Sequence, residues 1–212
     1  MNQYNVYIMS LLYSVKNNRF IRGIYFFYKR YFSCNRSGFG YIADNVSLTP
    51  PLWLDRKKNI YLYENTNLAA NSYISAYNAK FTIKKNCAIA EGLTVHTGNH
   101  ARILGMFITD VKEDIKPKGY DAEVIIEEDC WVGCNVTILS GVTIGRGCTI
   151  AAGAVVNKSI PPYCIAGGVP AKVIKKVWTI DEILRHEEKL YPAEERFTRE
   201  QLESIYKEYN LL

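Results

Sequence analysis

Two of the chain's three histidines, His96 and His100, stand four residues apart in the stretch LTVHTGNHARILG, residues 93–105. On a helix they would share a face and could bind a metal together. On a strand followed by a corner they would part, leaving one imidazole free for proton transfer near neutral pH. The third histidine, His186, is far away. Six cysteines (34, 87, 130, 134, 148 and 164) include no CxxC pair. They are expected to be reduced thiols packed as small apolar groups rather than a zinc site or a disulfide framework.

The elements that position these histidines have to come from the rest of the chain. With 212 residues and 48% apolar composition, it can bury a core of one domain with appendages. No apolar run reaches the roughly 18 residues of a spanning helix, and no signal-peptide pattern opens the chain, so an intracellular protein is expected. The net charge of +5 is unevenly placed. Lys16, Arg19, Arg22, Lys29, Arg30 and Arg36 all precede the first acidic residue, Asp44, and they interleave with aromatics in FIRGIYFFYKRYF. A basic aromatic helix over residues 1–38 suits a lipid headgroup layer or a polyanionic surface. The plainer reading is a helix packed on the rest of the protein with its lysines and arginines in water. No nucleic-acid-binding motif is present, and that class is set aside.

From residue 126 the sequence repeats in sixes: IEEDCW, VGCNVT, ILSGVT, IGRGCT, IAAGAV, VNKSIP. Ile126, Val132, Ile138, Ile144, Ile150 and Val156 form the unbroken series. Four places after each comes Cys130, Val136, Val142, Cys148, Ala154 or Ile160. Three places after each comes Asp129, Asn135, Gly141, Gly147, Gly153 or Ser159, types that tolerate tight turns and positive φ. A period of six scatters over every face of a helix and does not fit hairpins. It fits short strands joined by regular corners, three to a coil, with coils stacked at about 4.8 Å and the aliphatic residues inside. Cys130 and Cys148 then lie one above the other as space-filling groups.

The same phase leads IKKNCA, IAEGLT and VHTGNH from Ile83, Ile89 and Val95, and weaker series run through Ile42, Leu48, Leu54, Leu62, Leu68 and Ile74. Residues 101–125 carry no hexads, and a connection longer than about 12 to 15 residues suggests a functional excursion. Beyond residue 176, Thr179 with Glu182 and Thr198 with Gln201 read as capping boxes of two helices that cover the open end of the stack. The domain expectation is 1–38 helical, 39–176 the coil with its excursion, and 177–212 the capping helices.

These hexads, the run DCWVGCNVTILSGVTIGRGCTIAAGAVVNKSIPPYCIAGGVPAKVI and the upstream HTGNH resemble the hexapeptide-repeat acyltransferases, in the branch of galactoside, maltose and polysaccharide O-acetyltransferases. The likeness covers roughly residues 60–176. It implies an all-β fold with helical appendages, a left-handed parallel β-helix, and a homotrimer with active sites between neighbouring prisms. Handedness does not follow from the period. The strand-and-corner phase takes His96 and His100 off a common helical face. His96 follows the inward Val95 and points outward, while His100 sits where the coil opens into the excursion.

The resemblance implies that His100 is the general base for acetyl transfer from acetyl-CoA to a sugar hydroxyl, with no metal. It carries coenzyme A contacts to Trp131, Cys134, Ala152, Asn157, Lys158 and Lys172. Where the branch has Ser, Thr and Arg, this chain has Cys134, Asn157 and Lys172, which leaves backbone contacts to the pantetheine arm and changes the side-chain ones. On the acceptor side the branch's sugar-binding asparagine aligns with Ala69, so Asn71 is the substrate-binding candidate. Glu91, Asp110 and Glu113 are the carboxylates that could orient the imidazole. The reading is an O-acetyltransferase of bacterial surface polysaccharide biosynthesis, cytoplasmic, with a small or lipid-linked sugar acceptor and a peripheral membrane contact through residues 1–38. The rival enzymatic reading is N-acetylation of an amino sugar. A γ-carbonic-anhydrase-like zinc hydratase needs three converging histidines, and a noncatalytic coil scaffold needs none.

Overall fold

The computed structural model describes residues 18–32 and 35–211. The first 17 residues of the expected N-terminal segment, and Cys34, lie outside them. Helix α1 (Arg19–Phe32) precedes a stack of short strands. Coil 1 holds β1 (Tyr41–Ile42), β2 (Ser47–Leu48) and β3 (Trp53–Asp55); coil 2 holds β4 (Ile60–Leu62), β5 (Asn67–Leu68) and β6 (Tyr73–Ser75). Coil 3 holds β7 (Phe81–Ile83), β8 (Ala88–Ile89) and β9 (Thr94–His96). Coil 4 holds β10 (Val124–Ile126), β11 (Trp131–Val132) and β12 (Thr137–Ile138), and coil 5 holds β13 (Thr143–Ile144), β14 (Thr149–Ile150) and β15 (Val155–Val156). A partial sixth coil carries β16 (Cys164–Gly167), on which β17 (Lys172–Lys176) folds back antiparallel.

Strands at equivalent places in successive coils pair in parallel and build three walls. Face 1 runs β1, β4, β7, β10, β13; face 3 runs β3, β6, β9, β12, β15. Face 2 runs β8, β11, β14, β16, with β2 paired to β5 below. Between β5 and β8 the amide of Asn67 substitutes for the ladder: its Nδ2 donates to the Ile89 carbonyl at 2.6 Å and its Oδ1 accepts from Ile89 N at 3.0 Å. In coils 4 and 5 the register matches the hexads, with Ile126 opposite Ile144, Val132 opposite Ile150 and Ile138 opposite Val156. Every member of that series is buried, and each buried aliphatic side chain is worth about 1.5–3 kcal/mol.

The corners bear out the turn chemistry. Asp129, Asn135, Gly141, Gly147 and Gly153 all have positive φ, as do Asn65, Asn71 and Asn86. Gly147 is required twice over, because a Cβ there would also lie 2.4 Å from the Tyr163 ring. Outside one edge, Asn45 donates to Asn65 and Asn65 to Asn86, a ladder of side-chain amides. Inside, the thiols of Cys87, Cys130 and Cys148 donate to the carbonyls of Glu127, Gly145 and Pro161 respectively. Burial pushes the Cys148 thiol up to about 12 and the Cys130 thiol well above its ordinary value, so both stay protonated fillers.

The excursion begins earlier and ends earlier than the hexads indicate. Val124 and Ile125 belong to β10, paired with Phe81 and Thr82. Like β4 and β7, β10 spans three residues, so Val124 also points inward, two places ahead of Ile126. At the far end, α2 (Ile180–Leu190) and α3 (Arg199–Glu208) close the stack, each with the expected capping box. Ile183, Leu202 and Tyr206 bury against the last coil, and the Tyr206 hydroxyl donates to the Pro162 carbonyl at 3.1 Å. A polar hub seats them. The fully buried Glu187 accepts from Arg146 Nη1 (3.1 Å), the Tyr163 hydroxyl (2.8 Å) and the Phe197 backbone N–H.

Candidate active site

Face 3 positions both histidines. Along β9, Thr94 and His96 turn outward and Val95 inward. His96 is half-buried, its ring 5.7 Å from Tyr73. Tyr73 stacks on Trp53 at 6.2 Å and Trp53 on Phe26 of α1 at 5.7 Å, so a row of rings climbs the wall to His96. Thr97 is the last buried residue before the chain departs, its hydroxyl donating to the Ala79 carbonyl. Ile83 pairs with Ile126, forty-three residues on rather than eighteen, and the difference is the excursion.

The excursion is tied at its neck. Ser140 Oγ bonds to the Thr97 carbonyl at 2.9 Å, and Ala122 N donates to the same carbonyl at 3.0 Å. Asp121 is the anchor: it accepts from Asn99 N (3.0 Å), Asn78 Nδ2 (2.9 Å) and Lys116 Nζ (2.6 Å). Lys116, whose side chain is 9% exposed, also pairs with Glu113 at 2.8 Å. Burial by itself would raise the Asp121 pKa, but the Lys116, Asn99 and Asn78 hydrogen bonds outweigh it and hold the carboxyl below its ordinary range. Burial would likewise lower that of Lys116, and Asp121 and Glu113 reverse it. Both groups therefore stay charged at neutral pH.

This clamp fixes the backbone of Asn99, and His100 follows it directly. The His100 side chain is exposed and makes no hydrogen bond among the described residues. Of the carboxylates considered for orienting it, Glu113 is engaged by Lys116 and Asn78, and neither Glu91 nor Asp110 bonds to it. Among the described residues, no three His, Cys, Asp or Glu side chains converge as a metal site.

The remaining candidates divide between two edges of the prism. Register places Lys158 over Ser140 and Ser140 over Thr97, so Asn157 and Lys158 stand exposed above the neck of the excursion. Cys134 and Ala152 stack at the opposite margin of face 3, where Gly153 N donates to the Cys134 carbonyl at 2.8 Å. Gly133 permits that close approach, since a Cβ would sit 2.7 Å from Ala152 N. Above them Lys172 opens β17 opposite Gly167, exposed, and on face 2 Trp131 stands between Ala88 and Thr149 with 58% of its surface in solvent. Asn71 is a corner residue of that same edge, two coils lower than Cys134, and its Oδ1 accepts from Arg30 Nη2 at 3.1 Å. One chain thus gathers His100, Asn157 and Lys158 on one edge and Cys134, Ala152, Lys172 and Asn71 on another. Sequence reasoning missed Asp121, Asn78 and Lys116, because they lie outside the repeat and no spacing rule links them. It also missed the ring row from Phe26 to His96, whose members are joined only by coil register.

The model of the bacterial transferase hexapeptide family (six repeats) matches residues 123–158. A galactoside O-acetyltransferase of Escherichia coli is 31% identical over 145 residues, 66% of this chain and 64% of that one. The matched segments span a little under two thirds of the lengths of the first curated relatives, 66%, 64% and 64%. A maltose O-acetyltransferase structure from Clostridium difficile is 26% identical, with TM-score 0.55, over 77% of this chain and 78% of that one. A galactoside acetyltransferase solved in complex with coenzyme A shares the fold, with TM-score 0.58 and 24% identity over 87% of this chain and 90% of that one. Together with the six-residue repeat and the three-walled prism built from it, these relatives show that the chain belongs to the hexapeptide-repeat, left-handed β-helix acyltransferase superfamily.

Proposed function

We propose that this protein is an acetyl-CoA-dependent O-acetyltransferase acting on a sugar hydroxyl, cytoplasmic, and serving the synthesis of a surface polysaccharide. The observation that carries the reading is His100: an exposed imidazole, without a hydrogen bond among the described residues, held at the mouth of an excursion whose neck is clamped by Asp121. Such a group can take the proton of an incoming hydroxyl. The sugar oxygen attacks the thioester carbonyl as His100 Nδ1 or Nε2 accepts its proton. The C–S bond then breaks, and the departing thiolate receives that proton. The thioester is already activated, so no covalent enzyme intermediate is needed.

The residues suit the co-substrate. Cys134 and Ala152 line an edge with small side chains, which leaves the backbone accessible to a slender pantetheine arm. Lys158 and Lys172 are exposed cations for its phosphates. Trp131 offers a flat apolar surface beside that edge. The division of these groups between two edges supports a homotrimer in which the His100 edge of one copy meets the Cys134 edge of the next. Asn71 and the neighbouring Trp53 and Tyr73 then border the acceptor, a small or lipid-linked sugar. The galactoside and maltose O-acetyltransferases among the relatives favour oxygen over nitrogen as the attacking atom.

The test is thiol release from acetyl-CoA with a panel of galactosides, nucleotide sugars and polysaccharide intermediates, each product weighed for one added acetyl. His100→Ala is expected to lower kcat by about 10² to 10⁴-fold with oligomeric state unchanged. A loss of that size on His96→Ala instead would move the base to the other histidine. An absence of transfer to every sugar overturns the substrate class.

A further inference from the structure

Helix α1 lies on the prism with its apolar side outward. About 3.6 residues per turn put Arg19, Arg22, Phe26 and Arg30 on one side and Phe20, Ile24, Phe27, Tyr28 and Tyr31 on the other. On the first side Phe26 and Arg30 make the attachment, while Arg19 and Arg22 are exposed. Phe26 stacks on Trp53, Arg30 bonds to Asn71, and the Arg30 carbonyl accepts from Leu52 N at 3.2 Å. On the second side Phe20 is 75% exposed, Tyr28 60% and Phe27 58%. Among the described residues the Phe27 ring has its ring contacts within the helix, with Tyr31 and Phe32. The helix is thus packed on the protein with Arg19, Arg22 and Arg30 exposed, and most of its aromatics are exposed as well. A contiguous apolar surface of this kind marks a contact site.

Charge decides what covers it. Six cations and no acid precede Asp44, so this segment carries more than the whole net charge of +5 and the remainder of the chain is close to neutral. The 18 residues ahead of α1 are also rich in apolar types, with Lys16 their one charged side chain. Tyrosines with an apolar body and a polar tip suit the depth of lipid headgroups. At about 1.5 Å per residue, the 14 described residues of α1 are too short to span a bilayer by themselves, which favours a helix lying along its surface.

We propose that α1 docks this protein on an anionic lipid bilayer. Phe20, Ile24, Phe27, Tyr28 and Tyr31 enter the headgroup boundary, the exposed cations Arg19 and Arg22 behind them add attraction to the anionic surface, and Phe26 with Arg30 keeps the helix on the prism. The ring row of Phe26, Trp53, Tyr73 and His96 then leads from the bilayer up face 3 to the coil that bears the excursion.

The experiment is co-sedimentation of the full-length protein with phosphatidylcholine vesicles, with and without phosphatidylglycerol, alongside light scattering of the free protein. Binding is expected only with phosphatidylglycerol and should weaken as salt screens the charges. Phe20→Ser with Phe27→Ser should weaken it by about 10²-fold or more. Arg19→Gln with Arg22→Gln should weaken it about thirtyfold, from ~1 kcal/mol per cation near an anionic surface. All these side chains are exposed, so the particle mass should not change. The proposal falls if the unaltered protein ignores anionic vesicles, or if the phenylalanine variant binds them as before. It falls equally if that variant loses particle mass while still binding vesicles, since a second copy then covers the arc. Transfer to a water-soluble acceptor, measured without vesicles, reads the enzymatic assignment separately.

Discussion

Between Val124 and Val156 the buried side chains are aliphatic or thiol, and each meets its counterpart eighteen residues away. Between Thr97 and Glu123 only Thr97 and Ala101 are buried, and the shape rests on Asp121, Lys116, Asn78 and Asn99. Apolar stacking is non-directional and adds up over many residues. A charged clamp is directional, concentrated in a few groups, and fails as a unit when one is removed. The coils can therefore supply rigidity while the excursion supplies a placed and accessible imidazole. Stability and activity should accordingly respond to different substitutions.

The sharpest way to break that comparison is at His100. Replacement by alanine should cost about 10² to 10⁴-fold in kcat with the melting temperature unchanged. A fall in melting temperature of the same variant would show that the excursion also supports the coils. The converse is Ile138→Ala, which empties a site stacked between Val95 and Val156. It should destabilise by about 2–5 kcal/mol, or roughly 4–20 °C for a chain of this size, read by thermal denaturation. The KM of the remaining folded enzyme should stay the same.

Asp121→Ala tests the clamp itself. Lys116 would be left nearly buried without its main partner, so opening of the excursion should rise by about 10²-fold or more. Trypsin cleavage at Lys112 or Lys118 should report it, with little change in melting temperature. Equal cleavage of variant and native protein would mean the neck bonds of Ser140 suffice. Acid is a milder probe of the same group. Because the folded Asp121 pKa is depressed, its contribution is complete above the ordinary aspartate value of about 4 and disappears as pH falls through the lower folded value. The excursion should thus be firm at neutral pH and become protease-sensitive only in strong acid. A loss of protection already between pH 5 and 7 would assign it to another group. The smallest effect is expected at Asn86→Gly. The lost acceptor for Asn65 Nδ2 is offset by relief of a φ of 61°, for a net change within about 0.5 kcal/mol by urea titration.

The sequence made the coils legible and left the clamp hidden. Ile126, Val132, Ile138, Ile144, Ile150 and Val156 could be read as one inward series because each repeats a local instruction, and the corners at Asp129, Asn135 and Gly147 announce themselves by residue type. Thr179 and Thr198 marked their helices by partners three residues away. The phase break showed that an excursion existed but placed its end at residue 125, because Val124 precedes the first full hexad of face 1. Asn78 meets Asp121 across 43 positions and Arg146 meets Glu187 across 41, distances at which no local pattern operates. Resemblance marked His100 and the residues expected to hold the co-substrate, but could not say which share an edge.

What the amino-acid order determined by itself is therefore the prism: a six-residue period, turn formers at every third place after the aliphatics, and thiols that fill the interior. These are near-neighbour properties, fixed by backbone sterics and burial. The tertiary structure alone decided that Lys158 stands over Thr97, that Asp121 holds the backbone before His100, and that α1 turns its aromatic arc away from the protein. Each of those depends on how many residues intervene between coils, and on which buried charges find one another after the coils have stacked.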